Sequence, residues 1–184
     1  MPFAFTIGAL ALGLLVQCVF PKERGRERIL KAFCAAAVFI VAASVLYLIA
    51  AQYMAWSEAG PPAVYLVPPH RSMSYVISYV FARSGVSYVV SLTAALALAA
   101  VMMWANRRHE ERFFEKEEPY LAALAVFLLG NPSAPYAWLW YIGALLVTAL
   151  LVTSYRLRVK DYRFSLYYLW LPLALGVILV ESLL

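Results

Sequence analysis

The chain has 184 residues, the length of a single domain, but 65% of them are hydrophobic and only 14% charged, with a mean hydropathy of +0.78. A soluble domain is nearer half apolar and a quarter charged, so an ordinary soluble fold is excluded. The net charge of +5 does not point to nucleic acid, because a nucleic-acid face needs its cations on one contiguous surface. Here all but Arg71 and Arg83 of the 15 Lys and Arg residues fall in three clusters between apolar stretches. The clusters are Lys22, Arg24, Arg26, Arg28 and Lys31; then Arg107, Arg108, Arg112 and Lys116; then Arg156, Arg158, Lys160 and Arg163. Such clustering reports membrane topology, since cytoplasmic loops are enriched in Lys and Arg.

In chain order, residues 2–20 form an apolar helix. It lacks the positive leader and small-residue cleavage site of a signal peptide, so a retained membrane helix is expected. Pro21 and the charges that follow end it. A second helix over 29–56 exits the membrane at Tyr53 and Trp56, residues typical of the aromatic belt. The outer loop 57–84 carries Pro61, Pro62, Pro68 and Pro69, which preclude a regular helix there. Within it, 74–84 reads either as an interfacial helix or as the outer extension of the next span, 85–106. From Arg83 to Arg107 is about 36 Å of helix, from one headgroup region to the other.

The mixed-charge segment 107–118 follows, expected on the cytoplasmic surface as a short amphipathic helix. Residues 119–130 offer only about 18 Å of helix before Gly130, Asn131, Pro132 and Pro135 break the chain. Length alone rejects a crossing here. The positive-inside rule restores it, because only a crossing puts all three basic clusters on one side. Spans over 136–155 and 164–184 complete the chain, with Pro172 as a kink point in the last. The expected fold is an all-α polytopic membrane bundle, one transmembrane domain over residues 1–184. It has six transmembrane helices, the fourth short, and both termini extracytoplasmic.

Ionisable residues are nearly absent from the expected hydrocarbon depth, where proton pumps and ion-coupled carriers place them. Gln17 and Gln52 lie near helix ends and read as interhelical hydrogen-bonding or interface residues. Cys18 and Cys34 read as small packing residues. Ala9/Gly13 and Ala95/Ala99 are small pairs four residues apart, and Ala35, Ala36, Ala37, Ala42 and Ala43 thin the second helix. Small residues let membrane helices approach closely, so the first three helices are expected to form the inner bundle or an intermolecular seam. The last two look more exposed to lipid.

Chemistry is expected, if anywhere, in the outer loop. Glu58 is placed to act as a general base and His70 as an acid or base. Arg71 and Arg83 suit a phosphate, with Tyr65 and Tyr75 beside them. That set fits a lipid or lipid-linked phosphate entering from the membrane. His70 and His109 are the only histidines and are expected on opposite faces, so no haem, metal or other cofactor is expected. Phosphate loops, nucleophile elbows and zinc-protease motifs are missing from the sequence. The leading expectation is a non-catalytic subunit or scaffold of a complex in the cell membrane, contacting lipids and other membrane subunits but no nucleic acid. The alternatives are a membrane-embedded enzyme at the outer interface and a small transporter or channel.

Overall fold

The computed structural model describes residues 2–19, 26–108, 114–159 and 166–183. Among them there is no strand. The helices are α1 (Pro2–Val19), α2 (Arg26–Glu58), α3 (Met73–Val80), α4 (Val86–Arg108), α5 (Glu118–Leu128), α6 (Ala137–Val159) and α7 (Trp170–Leu183). A π-turn, Phe81–Gly85, joins α3 to α4, so the two make one helical rod over Met73–Arg108. Segment 74–84 is therefore the extension of the following span rather than a separate surface helix. Six rods result. Two of them, Glu27–Glu58 and Met73–Arg108, are long and apolar enough to cross a membrane. The apolar parts of the others are shorter.

The centre of the bundle is α5. Residues 124–131 are all buried, as are Glu118, Pro119, Leu121 and Ala122. A helix apolar all round has no solvent face and belongs inside. Pro119 stands at its start, where a missing N–H costs nothing because that donor has no intrahelical acceptor. α4 lies along it, antiparallel: Asn106 meets Phe114 just ahead of α5, and Ser91 meets Phe127 near its end. α1 and α7 also pair antiparallel, with Gln17 on Tyr167 and Gly13 beside Leu171. A methyl group on Gly13 would stand 3.2 Å from Leu171 and 3.4 Å from Leu124, so this glycine sets how closely α1 approaches α7 and α5.

Of the two expectations for the first three helices, the inner bundle is thus corrected. α5, the run that looked too short to cross, is the core. The alanine-rich α2 is largely exposed, and only 11% of its most apolar window is buried; for the Met73–Arg108 rod the share is 22%. The reason is that small residues permit close approach without compelling it, whereas both ends of α5 are docked by buried polar contacts, Trp170 on Glu118 at one and Ser91 on Phe127 at the other. Exposed apolar side chains ring the bundle, among them Phe39, Leu46, Leu96, Val101, Leu150 and Val180.

Beyond α2 the chain turns at Gly60, whose φ of +68° lies in the left-handed region that glycine adopts without strain. Both Pro–Pro bonds of the loop, Pro61–Pro62 and Pro68–Pro69, are cis. Buried Val67 and Val76 tie the loop to the bundle.

Candidate functional site

The loop after α2 and the start of α3 assemble an aromatic and cationic layer. Trp56, near the end of α2, lies 6.2 Å from Tyr75 and 4.9 Å from Tyr79, which sit one turn apart on α3. The Arg71 guanidinium lies 4.8 Å from the centre of the Tyr75 ring, within cation–π range. His70 stands edge-on to Tyr65 at 4.9 Å. The backbone places both basic residues, because the N–H groups of His70 and Arg71 both donate to the Val67 carbonyl.

The expected site residues are therefore joined in pairs, Tyr65 with His70 and Arg71 with Tyr75. Glu58, His70, Arg71 and Arg83 are all exposed. Arg83 sits on the π-turn. Among the described residues no ion pair or hydrogen bond joins the Glu58 carboxylate to His70, Arg71 or Arg83. Acid–base catalysis needs its groups within hydrogen-bond reach of a shared reacting atom; cation–π stacking needs only the layer that is present.

A second set of polar residues, buried, marks the ends of α5. Glu118 is wholly buried. Its carboxylate accepts from the Trp170 indole N–H at 3.3 Å and from the Glu115 backbone N–H at 3.3 Å, and it has further interactions beyond these. Position 118 was expected in the surface segment 107–118. It departs from that because the first turn of a helix favours an anion and Trp170 supplies a buried donor. Of the same segment, positions 109–113 lie outside the described residues, including His109. So do Lys160 and Arg163 and the side chains of Arg156 and Arg158.

Asn106 clamps Phe114 through both amide atoms, donating to its carbonyl at 2.8 Å and accepting from its N–H at 3.1 Å. Gln17 donates to the Tyr167 carbonyl, while its Oε1 finds no partner among the described residues. Tyr141 donates to the Trp170 carbonyl at 3.1 Å. At the other end of α5, Ser91 donates to the Phe127 carbonyl at 3.2 Å. Asn131 donates to Thr6 at 3.4 Å and accepts from the Ser133 N–H at 2.9 Å. Irregular backbone inside an apolar bundle needs such partners, because water is not there to supply them. The chemistry of this set is structural: most of its groups satisfy a helix end or a turn.

Sequence reasoning missed Glu118, Asn106 and Asn131. One signal was present for the first, a Glu-Pro pair directly ahead of an apolar run, which is a helix-start pattern. Among the described residues no three His, Cys, Asp or Glu side chains gather as metal ligands, and Cys18 and Cys34 are free thiols. The chain matches no protein-family model, no curated protein and no solved structure, so its function is read from this chemistry alone.

Proposed function

We propose that this chain is a multi-pass protein of the cell membrane, crossing it six times, and that it serves as a non-catalytic subunit or scaffold of a larger membrane complex. What supports the membrane reading is the inversion of the bundle. Its long helices expose Phe39, Leu46, Leu96 and Leu150 to the surroundings, a surface that is stable against hydrocarbon and not against water. α5 crosses inside the other helices, where protein rather than lipid covers its short length and its broken end.

The observation that carries the non-catalytic reading is the division of polar groups. The buried ones hold helix ends, and of the exposed ones after α2, His70 and Arg71 are engaged in ring contacts. Trp56, Tyr65, Tyr75, Tyr79 and Arg71 then act as an interfacial anchor, with aromatic bodies at headgroup depth. An acid–base role for Glu58 and His70 has no comparable contact behind it.

The test is extraction. Membranes expressing the chain are washed with alkaline carbonate, solubilised in a mild detergent, and sized by light scattering with mass spectrometry of the peak. The expected result is a carbonate-resistant chain migrating with a stoichiometric partner, well above its own 20.6 kDa. Release by carbonate overturns the membrane reading. A monodisperse lone chain overturns the subunit reading.

A further inference from the structure

α2 and α4 both pack on α5 and leave a cleft of about 500 Å³ between them. Cys34, Val38 and Ala42 of α2 form one wall, Ala95 and Leu96 of α4 the other, and Phe127 of α5 lies in the floor. The lining is almost wholly apolar. At one end, one helical turn before Cys34, stands Lys31, half-exposed. Its Nζ is 2.6 Å from Glu27 and 5.1 Å above the Tyr120 ring. Arg28 is exposed a turn earlier. Arg107 and Arg108, also exposed, end α4 at the same end of the bundle, because the neighbouring Asn106 is clamped to Phe114 just ahead of α5.

Charge selects the occupant. The groove runs about 12 Å from Cys34 to Ala42, and its roughly 500 Å³ accepts a hydrocarbon chain. Apolar chains gain little on leaving bulk bilayer for the cleft, since lipid tails are as apolar as Leu. Selection must therefore come from the end where the cations stand, and basic pockets between membrane helices bind anionic head groups.

We infer that the α2–α4 cleft seats an anionic phospholipid, its acyl chain lying along Cys34, Val38 and Ala42 and its phosphate held by Lys31 and Arg28. Glu27 is the resident partner of Lys31, so the phosphate shares or displaces that ion pair. This inference rests on the membrane reading above.

The experiment places the full chain in phosphatidylcholine nanodiscs doped with phosphatidylglycerol and identifies retained lipid by native mass spectrometry. Phosphatidylglycerol is expected to be retained in preference to phosphatidylcholine. Lys31→Gln and Arg28→Gln should each weaken that preference roughly fivefold, the worth of one cation near an anionic surface. Ala95→Phe, which fills the cleft and leaves every cation in place, should abolish retention. Ala42→Leu, at an exposed position of the opposite wall, gives the same readout if Ala95→Phe does not fold. Equal retention of the two lipids, or retention unaltered by both sets of substitutions, overturns the inference. So does a dimer that Ala95→Phe dissolves, which would make a second copy the occupant. A carbonate-resistant chain with no lipid preference sinks this inference alone; a chain released by carbonate sinks the membrane reading with it.

Discussion

Glu118 shows how a carboxylate is made tolerable inside an apolar bundle. A buried polar group without partners costs several kcal/mol; here the Trp170 indole and the Glu115 amide supply hydrogen bonds at 3.3 Å each. Glu118→Ala leaves the Trp170 N–H buried with no acceptor, which should cost about 1–3 kcal/mol. Glu118→Gln keeps a carbonyl for the indole and should cost less. Thermal unfolding in detergent checks both, and an alanine variant as stable as wild type would contradict the bond. The Glu118-Pro119 pair marks a helix start, but nothing local says that Glu118 rather than Glu117 is buried. What buries one of them is a tryptophan on another helix, and contacts between distant positions leave no mark on local composition. The aromatic residues of α3 were more legible, because Tyr75 and Tyr79 lie one turn apart and their shared face follows from helical spacing alone.

The elements were legible as apolar runs bounded by prolines and charges, which is why the sequence reading found a helix at each of the six rods. Their arrangement was not. Amphipathicity tells which face of a helix turns inward, and helices apolar on every side carry no such instruction. α5 is central through how its ends dock. A Cβ on Gly130 would collide with the Ser91 side chain and stand 3.1 Å from the Phe127 carbonyl, so α4 and the end of α5 touch at the closest approach that glycine permits. Gly130→Ala should therefore destabilise by about 1–3 kcal/mol, the range for overpacked sites. Ser91→Gly in the same chain should recover part of the loss by removing the colliding atoms. Independent, additive effects of the two substitutions on the unfolding midpoint would show that the helices do not meet there.

At the scale of the whole molecule, the proposed six passes make a claim about sides. Glu58 and position 110 should face opposite sides of the membrane, and positions 110 and 160 the same side. In a background lacking Cys18 and Cys34, an impermeant maleimide added to intact cells should separate Glu58→Cys from Glu110→Cys and treat Glu110→Cys and Lys160→Cys alike. Different labelling of the latter two would make α5 re-entrant and remove one crossing. The all-helical architecture was legible in composition and in the apolar runs, and part of the 65% hydrophobic content faces outward on α2 and α4. The candidate site was less legible, since residue types list what chemistry is possible and only their positions decide which groups meet.

The bond from Trp170 to Glu118 spans 52 positions of the chain, and that separation is also an interval of time. At roughly 5–20 residues per second, Trp170 leaves the ribosome about 3 to 10 s after Glu118. Throughout that interval the central helix stands without its closing neighbour, its carboxylate still short of the indole and one flank open. The innermost element of this protein is thus made early and sealed late.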